Sequence, residues 1–373
     1  MESITLKELD NLNKDEIQLI DIRRNTTFAN GGLEGAINID KDEIFAYLDR
    51  LDKDKKIIIY CQSGIISRDV AVELKKMGYD ALNLDGGYDS FLISHFANVE
   101  RNSLIEKSIR KKFHKVLFSR FAKAINTYEM LKPGDKVAVC ISGGKDSMLM
   151  AKLFQELKRH NKFEFELVFL VMDPGYNDLN RKIIEQNAKV LGIPITVFES
   201  DIFDAVYDVE KNPCYLCARM RRGHLYKNAK DLGCNKIALG HHYDDVIETI
   251  LMGMLYGGQV QTMMPKLHST NFEGMELIRP MYLIREDDIK HWRDYNDLHF
   301  IQCACKFTDT CTTCGNTGSK RMEIKNLIAE LKEVNPSVEA NIFASVENVN
   351  IDTVIRYKRK GVKYSFLDDY DGK

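Results

Sequence analysis

Short apolar runs of strand length alternate with amphipathic stretches along most of the chain. Within the first hundred residues the apolar runs lie at 18–20, 36–38 and 56–60, and stretches 42–51 and 68–77 carry apolar positions at helical spacing. Such alternation predicts a parallel sheet covered by helices. Gly86-Gly87 marks a loop before one last short helix near 88–96. The polar segment 98–106 reads as a linker. A basic helix is expected over 107–124, with Ile109, Phe113, Val116, Leu117 and Phe121 on its apolar face. From Lys136 the alternation resumes, with strands expected at 137–141, 167–172, 195–198 and 236–239. The fold class is therefore α/β. A small parallel domain is expected over 1–98, a linker and basic helix over 99–130, a doubly wound domain over 131–350 and a tail over 351–373. No internal repeat relates the two halves.

A length of 373 residues fits two domains, since single cores rarely keep growing at this size. Apolar content of 44% and charged content of 29% are those of a globular protein. No run approaches the roughly 18 apolar residues of a membrane span. The opening residues lack the basic-then-apolar layout of a signal peptide. The expectation is a cytoplasmic protein in a reducing compartment. There the nine cysteines read as metal ligands, catalytic thiols or buried residues before disulfides. Cys140 and Cys234, each beside an apolar run, are expected to be plain buried thiols.

The net charge of −2 hides an asymmetry: residues 1–100 carry 12 Lys and Arg against 19 Asp and Glu, a balance of −7, and the remainder balances at +5. The second part is the one suited to a polyanion. Arg110, Lys111 and Lys112 on the basic helix, and Arg219, Arg221 and Arg222 further on, are the candidate phosphate contacts, with a solvated helix face as the alternative for the first group.

Two motifs carry chemistry. In the first, the run 56–60 enters Cys61-Gln62-Ser63-Gly64-Ile65-Ile66-Ser67-Arg68 and then a helix. A thiol at a strand end, facing loop amides and a helix N-terminus, sits in a positive field that favours the thiolate or persulfide. Arg68 adds a fixed charge. A phosphatase-like loop would call for a longer cradle and a general acid. In the second, strand 137–141 leads to Ser142-Gly143-Gly144-Lys145-Asp146-Ser147 and a helix. Glycines let the backbone approach phosphates, the helix N-terminus offers free amides, and Lys145 neutralises charge. Asp146 would repel phosphate unless Mg²⁺ bridged them. The sequence is not GxxxxGK[ST].

With Asp21-Ile22-Arg23, Gly35-Ala36-Ile37-Asn38, Cys61 to Arg68 and Leu84-Asp85-Gly86-Gly87-Tyr88 in order, residues 3–97 resemble the rhodanese family. That resemblance implies Cys61 as a persulfide-forming nucleophile, supplied by a persulfide or thiosulfate donor. Gly32 departs from the histidine many relatives carry there. The loop at 142–147 resembles that of the PP-loop ATP pyrophosphatases, which adenylate a substrate oxygen and let a nucleophile displace AMP.

Further on stand Pro213-Cys214-Tyr215-Leu216-Cys217, Gly240-His241-His242-Tyr243-Asp244-Asp245, Arg279-Pro280 and Arg285-Glu286-Asp287-Asp288. Together these make 110–349 similar to the tRNA-cytidine 2-sulfurtransferase type of PP-loop enzyme. The resemblance implies ATP·Mg²⁺ on 142–147 with Met172, Gly240, His241 and Asp245 beside it, and Asp244 and Glu248 near the metal or the reacting base. Lys145 and Asp146 take catalytic roles. The resemblance also implies a 4Fe–4S cluster on Cys214, Cys217 and one downstream cysteine. Cys303 is favoured as that third ligand, against Cys305, Cys311 and Cys314. Structural zinc on Cys214, Cys217, Cys311 and Cys314 is the alternative, and Cys214 as a metal-free persulfide nucleophile is another.

The implied function is 2-thiolation of an anticodon-loop cytidine in tRNA, whose splayed bases can enter a pocket. A thiolase acting on uridine or a small molecule shares the same motifs, and a metal- and nucleotide-binding sensor is the non-enzymatic reading. Linker motion, or a neighbouring subunit of a homodimer, would bring Cys61 to the second site.

Overall fold

The computed structural model describes residues 3–28, 32–160, 163–176, 178–200, 202, 213–301 and 320–370. The chain divides into two compact units, Met1–Arg101 and Asn102–Lys373.

In the first unit, β1 (Ser3–Ile4), β2 (Ile17–Asp21), β3 (Ile37–Asn38), β4 (Lys56–Tyr60) and β5 (Ala81–Leu84) form a parallel sheet in the order β1-β5-β4-β2-β3. The central strand β4 buries Ile57, Ile58, Ile59 and Tyr60 completely, as expected of a parallel strand covered on both faces. Two short helices, α1 (Leu6–Leu9) and α2 (Asn25–Phe28), sit on the connections. Helix α3 (Ile66–Lys76) turns Val70, Ala71 and Leu74 inward, the i, i+1, i+4 face of an amphipathic helix.

The polar segment read as a linker holds the boundary between the two units, after Arg101, and is helical, because α4 runs over Gly87–Arg110. Two of its polar residues, Asn102 and Glu106, are engaged by a buried cation. Lys152, 1% exposed, donates to Asn102 Oδ1 at 2.8 Å, Glu106 Oε1 at 2.9 Å and the Leu191 carbonyl at 2.7 Å. Arg159 and Arg110 also reach Glu106, and both reach Glu156. Burial works against the Glu106 carboxylate, but hydrogen bonds from Arg159 and Lys152 win and hold its pKa at about 2. Because that value is depressed, the stabilisation is present above the ordinary 4.5 and is lost as pH falls toward 2. Lys152→Met strands these acceptors without their cation and is expected to cost about 3 kcal/mol in denaturant unfolding. An unchanged midpoint would refute the network's structural role.

The expected basic helix is broken. After α4 the chain makes a π-helical turn over His114–Phe118 and then α5 (Ser119–Thr127). Phe113, Leu117 and Phe121, spaced by four, still share one buried face in the main core.

The second unit carries β6 (Lys136–Ile141), β7 (Glu166–Asp173), β8 (Ile195–Glu199), β9 (Lys236–Ala238), β10 (Lys266–His268) and β11 (Glu276–Ile278) in the order β10-β11-β9-β6-β7-β8. Every pairing is parallel except β10 with β11. Helices α6 (Lys145–His160), α7 (Asp178–Val190), α8 (Pro213–Asp231), α9 (Tyr243–Gly257) and α10 (Glu286–Tyr295) accompany the sheet. The order reverses direction at β6, so the crevice at the C-terminal ends of β6 and β9 is the switch point where open α/β sheets bind ligands. Cys140 and Cys234 are buried thiols as expected, and burial pushes the Cys140 pKa up to about 12.

Helices α11 (Lys320–Val334) and α12 (Val338–Glu347) follow, with Ile324, Ile328 and Phe343 in the main core and Phe343 stacked on Tyr243 at 4.6 Å. The expected tail contains a hairpin of β12 (Arg356–Arg359) and β13 (Val362–Ser365). Among the described residues no helix is long and apolar enough to cross a membrane.

Candidate functional site

The first site is built where β4 ends. Gly64 holds φ +77°, and a Cβ there would meet the Leu84 carbonyl and the Gly86 amide at 2.8 Å, so the loop after Cys61 lies flat on Gly86-Gly87. The backbone closes it, with the Tyr88 amide donating to the Cys61 carbonyl and the Asp89 amide to that of Gln62, both at 2.9 Å. Beneath, Arg23 forks onto buried Asp21 and lies 3.9 Å over the Tyr88 ring.

The Ser67 hydroxyl stands 3.3 Å from Cys61 Sγ and 2.7 Å from Asn83 Oδ1, and accepts from the Cys61 amide at 3.1 Å. Burial alone would raise the Cys61 pKa. Hydrogen bonds from the Ser67 side chain and from the amides of Ser67, Ser63 and Gly64 outweigh it and bring the thiol below its ordinary value. Ser67→Ala is expected to slow alkylation of Cys61 at neutral pH about tenfold and to move the pH profile upward. An unmoved profile would show that the amides suffice. Arg68 is half exposed and pairs with Asp85 at 3.5 Å, so its charge is shared.

The second site is the loop between β6 and α6. Gly143 has φ +84°, and a Cβ there would fall 2.5 Å from Ile184 Cγ1 and 2.7 Å from Ile301 Cδ1. Ser147 stitches the turn, its hydroxyl accepting from the Ser142 amide at 3.1 Å and donating to the Gly144 carbonyl at 3.0 Å. The amides beyond Gly144 open α6 and have no helical partners of their own, which makes an anion cradle. Lys145 is held by Asp146 and Glu286, each at 3.2 Å. Asp146 Oδ1 is buried and accepts no hydrogen bond. That oxygen lies 3.2 Å from the Lys145 ammonium, and with Lys145 turned to phosphate it fits a Mg²⁺ completed by phosphate oxygens and water.

The loop after β9 presses against this turn, since a Cβ on Gly240 would stand 3.3 Å from the Asp146 and Ser147 backbone. The paired histidines separate in role. His242 caps α9: its Nδ1 accepts from the Asp245 amide and its own amide donates to Asp245 Oδ2 at 2.9 Å. His241 is half-buried with Nδ1 enclosed and unbonded, and desolvation followed by the Arg279 charge pushes its pKa down to about 4, so it is neutral at pH 7. Met172, at the end of β7, is buried beside Ile202, with Leu216 of α8 packed on the pair.

The acidic residues are already engaged. Asp244 accepts from the Glu286 amide at 2.7 Å and from Arg285 at 3.0 Å. Asp245 and Glu248 both bind Arg321 of α11. Glu286, besides Lys145, holds Lys325 at 2.7 Å and Lys290 at 3.1 Å. Burial opposes its ionisation, yet the Lys325 hydrogen bond and the Lys145 charge hold its pKa far below the carboxylate range. Arg321, Lys325 and Glu339 are absent from the sequence-level set. They come from helices beyond the cysteine-rich segment, and nothing local in sequence marks them.

Cys214 and Cys217 fall in the first turns of α8, with their side chains outside the described residues, and Cys303, Cys305, Cys311 and Cys314 lie outside them altogether. Among the described residues no group of three or more His, Cys, Asp or Glu is arranged to hold a metal. Of the candidate RNA contacts, Arg219 and Arg222 are exposed. Arg110 is committed to Glu156 and Glu106, and Lys112 lies 3.7 Å over the Tyr295 ring.

The sequence has counterparts among known proteins. The rhodanese-like domain family matches residues 5–94, and the PP-loop domain family matches 105–305. A tRNA-cytidine(32) 2-sulfurtransferase of Neisseria meningitidis serogroup C is 34% identical over 242 residues, covering 64% of this chain and 73% of the relative. Another so named, from Polaromonas naphthalenivorans, is 32% identical over 283 residues, covering 74% and 87%. The chain belongs to this PP-loop sulfurtransferase family. Among solved structures, the U34-tRNA thiolase NcsA from Methanococcus maripaludis with its 4Fe–4S cluster is 23% identical, with a TM-score of 0.49, covering 61% of this chain and 77% of that one. A rhodanese-like domain protein from Staphylococcus aureus is 34% identical, with a TM-score of 0.23, covering 24% and 90%. In this sulfurtransferase the rhodanese-like domain is therefore the Cys61 unit, and the PP-loop is the turn after β6.

Proposed function

We propose that the protein thiolates tRNA at the expense of ATP, replacing the C2 oxygen of an anticodon-loop cytidine with sulfur received at Cys61. One observation carries the reading. The turn at 142–147 is lodged between Gly240 and Ile301, and Ile301 is the residue that leads into the cysteine-rich segment two positions before Cys303. The phosphate cradle and the start of that segment thus share one place. The relatives' names supply the base, a tRNA cytidine.

The roles of the chain's own residues follow. The α6 amides and Ser142 take the ATP phosphates, and Lys145 turns from Glu286 toward them, steadying charge as pyrophosphate leaves. Asp146 offers Oδ1 to Mg²⁺. Neutral His241 lines the crevice as a polar group that neither repels the nucleotide's metal nor adds charge. The cytidine C2 oxygen attacks the α-phosphorus and releases pyrophosphate, the outer sulfur of a persulfide attacks C2 and expels AMP, and a second thiol cleaves the remaining S–S bond, leaving a disulfide and the thiocarbonyl. In the other unit the Cys61 thiolate attacks a sulfane sulfur, forming an S–S bond and releasing the donor's leaving group, sulfite in the case of thiosulfate. Arg219, Arg221 and Arg222 on α8, with Lys111, are the proposed phosphate contacts.

Cys214, Cys217 and Cys303 make a donor set of soft thiolates suited to an iron–sulfur cluster, and Leu216 between the first two packs toward the end of β7. Such a cluster, held by three thiolates, would supply an open iron at which sulfur can be held for attack. Protein purified without oxygen is expected to contain about four irons and four sulfides per chain, lost in Cys214→Ala. One zinc and no iron would overturn the cluster and leave a persulfide-only thiolase.

A further inference from the structure

The hairpin after the last core helix has no role in the activity described so far. Its two-residue turn, Lys360-Gly361, has φ +48° and +86°, the left-handed pair that matches strand twist in a tight hairpin. Register pairs Arg356 with Ser365, Tyr357 with Tyr364, Lys358 with Lys363 and Arg359 with Val362. Strand alternation then sorts the side chains into two faces. One holds Tyr357 and Tyr364, stacked at 4.8 Å and 11°, with Arg359 and Val362. The other holds Arg356, Lys358, Lys363 and Ser365.

Three features of this element are unfavourable for a chain in water alone. Lys358 and Lys363 stand directly opposite, a like-charge pair that destabilises a ladder. Between Thr353 and Leu367 there are five cations and no carboxylate, and among the described residues none of the five has an ion-pair partner. The two strands form a sheet of their own, a marginal structure without added support. Clustered unpaired cations beside a flat aromatic pair are the surface that nucleic-acid strands reward, with phosphates relieving the repulsion and a base covering the ring.

We propose that the hairpin Arg356 to Ser365 is an RNA-binding element that grips the substrate tRNA, its lysine face on backbone phosphates and its tyrosine pair against an unpaired base. The proposal rests on tRNA being the substrate. The test is anisotropy of unmodified tRNA with the full chain, across about 50 to 200 mM salt. The triple variant Lys358→Gln, Lys360→Gln, Lys363→Gln removes repulsion within the hairpin, so its fold is kept. Its affinity is expected to fall on the order of tenfold to a hundredfold, and the salt slope by about 2 to 3. Tyr357→Leu with Tyr364→Leu is expected to weaken binding on the order of tenfold with the slope unchanged. Wild-type protein that binds no tRNA would overturn the tRNA reading itself. Wild-type binding matched by the triple variant in affinity and slope would overturn the hairpin's role alone. A variant altered only in self-association would make the hairpin a protein interface and overturn the proposal likewise.

Discussion

Gly143→Ala is expected to lower ATP-dependent pyrophosphate release by on the order of a hundredfold to a thousandfold while leaving the protein folded. Two independent costs meet at this position. The backbone sits at φ +84°, where a side chain is strained, and the new methyl would collide with Ile184 and Ile301. Both neighbours are side chains and not backbone, so they can shift and the unit survives. What cannot be kept is the aim of the amides that open α6, because the turn must rotate to make room. A loss confined to KM, with turnover intact, would mean that the loop binds phosphate without shaping the transition state.

Cys61→Ser is expected to abolish sulfur uptake from thiosulfate by at least about a thousandfold, with pyrophosphate release unchanged. A serine hydroxyl keeps the loop's hydrogen bonds but is not ionised near neutral pH, so the Ser67 and amide donors have no anion to favour. The nucleotide site belongs to the other compact unit. Supplying inorganic sulfide in place of the sulfane donor should restore tRNA thiolation in the variant. Full thiosulfate-dependent activity in Cys61→Ser would remove Cys61 from the route.

Much of this was legible in the sequence because it is local. The Ser142 to Ser147 turn and the Cys61 loop each write their chemistry in consecutive residues between a strand and a helix, and the main parallel strands follow from the alternation. Other features depend on distant partners. Asn102 and Glu106 look like solvent-facing linker residues, yet their partner is Lys152, 46 residues beyond Glu106, so polarity there meant a buried ion network. His241 and His242 are adjacent and alike in sequence. Only the geometry shows that one caps a helix and the other lies neutral in the crevice. Arg321 and Lys325 were illegible for the same reason, since they find their carboxylates 73 and 39 positions away. The hairpin left a clear signal in Lys360-Gly361 between two runs of β-branched, aromatic and basic residues, one that the label of a tail passed over.

The most direct test is nucleoside analysis of unmodified tRNA after incubation with anaerobically purified protein, ATP, Mg²⁺, thiosulfate and a thiol reductant. 2-Thiocytidine is expected, with AMP and pyrophosphate formed in step with it and none without ATP. Thiouridine in its place, or ATP consumed to ADP with no thionucleoside, would contradict it.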